Sequence, residues 1–394
     1  MAISTFDVPV GPQHPALKEP VNFTFTVDGE HVVGVRPRIG YNHRGIEKAA
    51  ESRTYIQNIY LMERICGICS VAHTTTYVQN VEYVLGKEIP RRAEFYRVLI
   101  NELNRIHSHL LWLGVAGHEI GFDTLFMYVW RDREHVMDIL EMLTGNRVNY
   151  AINTIGGVRR DITPEMVGKV RKVMEVVEQR VTYYRKAAAA EPTLLTRVKG
   201  IGVLKTEDAL KLCAVGPTAR ASGVKSDVRA DDPYAAYDEV PFNLVSYDLC
   251  DVLSRVLVRV DETLESVKMV KHCLDHMPAG PVRVKLPRVV PAAESVSRIE
   301  APRGEVIHYL RSNGTDKPER YKVRAPTLGN IPSVCEMLTS KGDYAVRIGD
   351  IPIALASIDP CFSCTDRAVL FIDPSRGKEW LWTFEHIRKY AGRV

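Results

Sequence analysis

The chain is expected to be mainly α with small β regions, an α+β protein with a long-helix bundle core and an N-terminal β-hairpin. Three observations predict this. Long apolar-periodic stretches fill the middle, over 91–116, 163–189 and 245–276, and helices of that length bury their stripes against one another. Asn22–Val27 alternates apolar and polar residues ahead of Asp28-Gly29, a hairpin turn. With 394 residues, 45 % of them hydrophobic, there is material for a large core. Net charge is only +4, too mild to argue for nucleic acid. No segment reads as a secretory signal or a membrane span.

In order, the Pro-rich residues 1–20 read as a loop, and His31–Ile39 as the second hairpin strand. Gly40–Arg44 turns into helical patterns over Glu47–Ile65, His73–Leu85, Arg91–Ala116 and Leu125–Leu143, the last closed by Gly145-Asn146. Thr163 caps a helix with Pro164 at its first position, running to about Ala189. A short helix follows over Glu207–Cys213. The Gly-, Ser-, Asp- and Pro-rich 215–242 reads as a partner-facing or functional loop. Val245–His276 is helical. Val282–Lys285, Val306–Arg311, Tyr344–Val346 and Ile351–Ala356 read as strands. This gives a β region over 1–45, a helical core over 46–280, a mixed region over 281–367 and an extension over 368–394.

Eight cysteines include two Cys-x-x-Cys pairs, Cys66/Cys69 and Cys361/Cys364, near opposite ends of the chain. Four thiolates can hold one soft metal if the fold unites them. A closed structural zinc site is one reading. Zinc modules, however, place their pairs within tens of residues, whereas here the fold must form before the pairs meet. That favours a redox or catalytic metal clamped between the ends. Cys213, Cys250, Cys273 and Cys335 are isolated and read as buried thiols. His107 and His109 are two apart and share no helix face; His272 and His276 share one at a polar helix end.

Arg44-Gly45-Ile46-Glu47, then fifteen residues, then Glu63-Arg64-Ile65-Cys66-Gly67-Ile68-Cys69 resembles the N-terminal signature of nickel-iron hydrogenase large subunits. Asp359-Pro360-Cys361-Phe362-Ser363-Cys364 resembles their C-terminal signature. Gly11-Pro12-Gln13-His14-Pro15, Ser108–Gly114 and Gly216-Pro217-Thr218-Ala219-Arg220 resemble the membrane-bound, energy-converting (group 4) branch, which is related to the 49-kDa quinone-site subunit of complex I. Arg367, where standard hydrogenases carry His, fits that branch.

The resemblance implies a nickel-iron centre whose iron carries carbonyl and cyanide. Cys66 and Cys361 would be terminal on nickel, and Cys69 and Cys364 would bridge to iron. Gly67 is expected to leave room at the turn. Arg303, in Ala301-Pro302-Arg303-Gly304, would stand over the open metal position with Asp359 paired to it, and Glu119 would replace an Asp of relatives. Glu19 would start the proton path, Glu47 would hold a magnesium-like ion, and His14 is expected to be a structural histidine.

The implied reaction is 2H⁺ + 2e⁻ ⇌ H₂. Electrons would come from a small 4Fe-4S subunit and ultimately from ferredoxin, since no further cluster motif is present. Ion translocation would belong to membrane subunits, placing the chain peripherally on the cytoplasmic face. The alternatives are a quinone-reductase arm subunit like that of complex I, which lacks the four Cys and carries Tyr at Gly67, and a scaffold with structural zinc. Residues 368–394 would be a maturation tail cut after Arg367 or a retained extension. Ala368–Ile372 reads as a strand and Lys378–Tyr390 as a helix.

Overall fold

A computed structural model describes residues 5–342, 344–365, 369–373 and 378–382, the last two spans by backbone alone. The first sheet has order β1-β2-β3, from Thr5–Val10, Asn22–Asp28 and His31–Arg38. The Pro-rich start was expected to be a loop, yet β1 pairs antiparallel with β2 from Thr5↔Asp28 to Val10↔Phe23. Phe6, Val8 and Val10 alternate as a strand should, and Pro9 is tolerated on an edge. Phe23, Phe25 and Val27 point into a core shared with Val334, Met337, Ile351 and Leu355 from late in the chain.

The expected helix over Glu47–Ile65 is two, α1 (Ile46–Glu51) and α2 (Tyr55–Glu63). Thr54 breaks the run by capping α2 reciprocally with Gln57, a capping box readable as Thr-x-x-Gln. Then come α3 (Ser70–Leu85), α4 (Arg91–Glu119) and α5 (Asp123–Thr144). Gly145 ends α5 at φ 91°, where a left-handed cap favours glycine. A two-residue pair, β4 (Asn153–Thr154) with β5 (Gly157–Val158), leads to α6 (Pro164–Ala190). Thr163 accepts the Met166 N–H there as N-cap. Next are α7 (Pro192–Val198), α8 (Thr206–Lys211), α9 (Pro217–Arg220), α10 (Val228–Asp231) and α11 (Val252–His276).

The bundle is α4 packed between α5 and α11, with α6 against α11. Its apolar stripes merge into one core that reaches Cys66, Cys69 and Cys361. Residues 245–251 were expected to be helical; α11 instead starts at Val252, where Asp251 accepts the Ser254 N–H as N-cap. The 215–242 segment was expected to be a functional or partner-facing loop. In fact Arg220, Asp227 and Arg229 within it are buried.

A second sheet, β6 (Ala293–Ala301), β7 (Gly304–Ser312) and β8 (Pro318–Arg324), packs on α3. Helices α12 (Pro326–Met337) and α13 (Ile351–Ala356) follow. Ile351–Ala356 is therefore helix rather than strand, the ambiguity of every short apolar run. Val282–Lys285 and Tyr344–Val346 contribute only single bridges, Gly157↔Arg283 and Lys341↔Tyr344. The last strands, β9 (Val369–Asp373) and β10 (Lys378–Trp382), pair antiparallel. Lys378–Trp382 was expected to begin a helix and is strand; 383–390 lies outside the described residues.

Candidate metal centre

Both Cys pairs are delivered by tight turns. Arg64 ends α2, and Cys69 is the residue before α3. Between them the chain folds so that the Ile68 and Cys69 N–H groups both donate to Cys66 Sγ at 3.4 Å. Asn104 on α4 fixes this turn by donating to the Ile68 carbonyl at 2.8 Å. The second pair sits on one turn of 3₁₀ helix, Phe362–Cys364, after α13. The Cys361 N–H donates to Thr327 Oγ1 at 3.0 Å.

The fold closes the gap of 295 residues: Cys361 Sγ lies 3.5 Å from Cys66 Sγ and 2.8 Å from Cys364 Sγ. The Cys66, Cys69 and Cys364 sulfurs lie within 4.8 Å of one another. All four are free thiols. Hydrogen bonds from the Cys361, Cys364 and Cys69 thiols, with Arg303 alongside, draw Cys66 well below the ordinary thiol range. Cys364 moves the other way because it donates to Cys361, Cys66 and Cys69. The four sulfurs thus form one hydrogen-bonded thiol cluster, and a soft cation among them would release its protons. The donor set therefore fits a thiolate-bound transition metal.

Arg303 lies at the tip of the β6–β7 hairpin and is 5 % exposed. Its Nε donates to the Asp359 carbonyl at 2.7 Å and its Nη2 to Asp359 Oδ1 at 2.9 Å. Its Nη1 is 3.9 Å from Cys66 Sγ. Burial works against the guanidinium charge, but Asp359 and Cys66 outweigh it. Asp359 itself sits at φ 55°, a left-handed position that Asp tolerates better than most residues. Its Oδ2 is buried without a hydrogen-bond partner.

Glu19 meets the second turn. Its carboxylate accepts from the Ser363 N–H at 3.0 Å and from Ser363 Oγ at 2.7 Å, and its charge reaches Cys361. Glu119, at the end of α4, is bound to Lys18 Nζ at 2.6 Å, beside Glu19 in sequence but with no contact to the thiols. Glu47 accepts the Val323 N–H at 2.9 Å and joins no group of three potential ligands among the described residues. His14 is exposed and accepts the Ala16 N–H. Gly67 does not need to be glycine: a Cβ there would meet only Val148, at 3.5 Å. Of the isolated cysteines only Cys273 is buried; Cys213 is exposed, and Cys250 and Cys335 are intermediate.

Two residues beyond those expected complete the site. Arg44 ties the turns together, donating to the carbonyls of Arg64 at 2.9 Å, Ile65 at 2.8 Å and Ser363 at 3.1 Å. His73 Nε2 lies 3.9 Å from Cys364 Sγ, and its Nδ1 is 3.0 Å from His308 Nε2. Burial pushes the His73 ring down to about 4, so it is neutral. Its signal was in the sequence: His73 follows Cys69 by one helical turn.

Residues 119–292 and 287–367 match the family described as the 49-kDa subunit of respiratory-chain NADH dehydrogenase. Residues 44–114, which carry the first turn, match the nickel-dependent hydrogenases. The membrane-bound hydrogenase subunit alpha of Pyrococcus furiosus is 40 % identical, over 98 % of this chain and 92 % of its own. The chain belongs to the family of membrane-bound nickel-iron hydrogenase large subunits and complex I 49-kDa subunits. Within that hydrogenase–complex I family, the carbon monoxide-induced hydrogenase of Rhodospirillum rubrum is 41 % identical, over 93 % of this chain and all (100 %) of its own. A chain of an archaeal membrane-bound sulfane sulfur reductase superposes with a TM-score of 0.87 at 32 % identity, covering 93 % of this chain and 100 % of that one. Such relatives are subunits of membrane complexes. No helix among the described residues is long and apolar enough to cross a membrane.

Proposed function

We propose that the chain is the catalytic large subunit of an energy-converting nickel-iron hydrogenase, interconverting protons and H₂. The convergence of four thiols from opposite ends of the chain carries this reading. Cys66, Cys69, Cys361 and Cys364 would hold a nickel-iron centre whose iron bears carbonyl and cyanide. When bound, this centre supplies the redox chemistry and the heterolytic splitting of H₂. The protein supplies charge and proton handling. Arg303 holds a fixed positive charge beside Cys66, oriented by the two-pronged grip of Asp359. Glu19, hydrogen-bonded to the turn between Cys361 and Cys364, takes the proton that leaves the site. Glu119, paired with Lys18, would take the place of an Asp of relatives. Glu47 would hold a structural magnesium-like ion near the C-terminal strand.

Electrons would arrive from a small 4Fe-4S subunit fed by ferredoxin, on the cytoplasmic face of a membrane whose partner subunits move ions. Residues 368–394 are assigned as a maturation tail cut after Arg367. The intact mass of nickel-loaded protein tests this: a chain ending at Arg367 supports it, and a full-length active chain refutes it.

The long match to the 49-kDa subunit supports a second reading, a quinone-reducing arm. The four gathered thiols weigh against it. Metal analysis with infrared spectroscopy of the purified complex separates the readings. Nickel with carbonyl and cyanide bands is expected; zinc without bands, or no metal with quinone reduction, would sink the proposal.

A further inference from the structure

Hairpin tips usually face water, but Ala301-Pro302-Arg303-Gly304 is buried throughout. What covers it is the segment Gly216-Pro217-Thr218-Ala219-Arg220. Gly216 lies against the hairpin backbone so closely that a Cβ on it would fall 2.3 Å from Gly304 Cα and 2.5 Å from the Arg303 carbonyl oxygen. A Cβ on Gly304 would in turn fall 2.9 Å from Gly216 Cα. Gly216 has φ 67° and ψ −148°, a combination open in practice only to glycine. The two glycines thus set a backbone-to-backbone contact that no side chain can enter.

The same segment grips the hairpin a second time. Arg220 ends α9 and donates to Glu300 Oε1 at 2.8 Å, while its Nε is held by Glu262 at 2.7 Å. From the other side Arg105 of α4 forks onto the last carbonyls of β6, Glu300 at 2.6 Å and Ala301 at 3.1 Å. All these groups are buried, where an ion pair acts with little screening and a lost partner is costly. Further along, Asn330 of α12 exchanges hydrogen bonds with Val215 at 3.0 and 3.2 Å. That helix begins beside Thr327, the acceptor for the Cys361 N–H. The segment before Gly216 and the second cysteine turn therefore share one support.

From this we infer that Gly216, Gly304, Arg105 and Arg220 are positioning residues: they fix the depth at which Arg303 reaches over Cys66. The inference rests on the catalytic role proposed for Arg303. A methyl group at 216 has to push the tip back by about 1 Å to reach ordinary contact, a displacement of the size that costs about 10²-fold in rate when it misplaces a reacting group.

The test uses the assembled complex with Gly216→Ala, Arg303→Lys and the double variant. Gly216→Ala should keep its nickel, since no thiol is touched, and lose about 10²-fold in H₂ turnover. Its cyanide infrared bands should move in the same direction as those of Arg303→Lys. In the Arg303→Lys background the same change should cost less than about twofold, because the group it misplaces is already altered. Equal loss in both backgrounds, or no loss at all, overturns the inference. A solved structure of Gly216→Ala decides it without any metal: Arg303 must have drawn away from Cys66 Sγ, and an unmoved guanidinium refutes it. Absence of carbonyl and cyanide bands in the unaltered protein would count instead against the hydrogenase reading. If Gly216→Ala does not fold, Arg105→Lys takes its place. It keeps the charge beside Glu102 but loses the fork, and should cost about tenfold only where Arg303 is intact; a loss independent of Arg303 refutes the inference.

Discussion

The two cysteine turns hold the same four atoms in unlike ways. The first rests mainly on its own backbone and the helix behind it, with Asn104 and Arg44 adding side-chain bonds to its carbonyls. Cys66 accepts two N–H groups of the turn, and Cys69 runs straight into a buried helix of 16 residues. The second is held in place from outside. Beyond its own backbone bonds, Thr327, Glu19 and Arg44, from three separate segments, supply side-chain hydrogen bonds to a turn of only three residues, Phe362–Cys364. A helix start keeps its shape when a neighbour is lost; a turn pinned by remote side chains does not. The first turn is the fixed jaw of the clamp and the second the adjustable one.

The largest effect comes from removing an adjustable-jaw thiol. Cys361→Ser should abolish both nickel incorporation and turnover; full nickel loading in that variant would show that the jaws do not close on one site. Next is Glu19→Gln, which keeps an oxygen for Ser363 but removes the ionisable proton. Turnover should fall by about 10²–10⁴-fold with the infrared bands in place, and unchanged turnover would reduce Glu19 to a peg for the jaw.

Thr327→Val isolates the pegging itself. It leaves the Cys361 N–H without its acceptor at a cost of about 1–3 kcal/mol. Amide exchange should quicken over 361–365 and stay slow over 66–73; equal acceleration in both turns would erase the distinction between jaws. The smallest effect concerns the fixed jaw. Glu63 accepts the Ala151 N–H, and burial raises its carboxyl above the ordinary range, so the folded protein holds this proton more tightly than the unfolded chain does. That contribution is complete below the unfolded value of about 4.3 and is lost as pH rises through the folded one. Glu63→Gln should flatten the decline in Tm between mild acid and neutral pH by about 1–2 °C. A slope identical to the parent's would mean that Glu63 is charged in the fold.

The asymmetry also explains what could be read from the sequence. The fixed jaw was legible because its chemistry is local: a Cys-x-x-Cys with a helix behind it, although His73, one turn on, was missed. Helices α3 to α6 were legible for the same reason, since periodicity is a local property. The adjustable jaw announced its thiols but not its pegs, because nothing near Thr327 or Ser363 says what lies across the fold. Ile351–Ala356 could not be typed from six mostly apolar residues. The buried charges carry no local signal: Arg105 and Glu102 are three apart on α4, a spacing that ordinarily marks a solvated face. Only tertiary contact with Glu300 and Arg229 shows them to be interior.

Asp359 carries one more consequence. Its backbone turns through a left-handed conformation immediately before Pro360, which suits glycine or asparagine. Its side chain answers to Arg303, which asks for a carboxylate. Few residues serve both masters. Glycine would relax the backbone and abandon the arginine; glutamate would keep the charge but lengthen the arm in a conformation it adopts poorly. Asparagine alone keeps the conformation and one acceptor oxygen. Position 359 should therefore be close to mutationally closed, with asparagine the only tolerated substitute in a saturation scan selected on assembled complex.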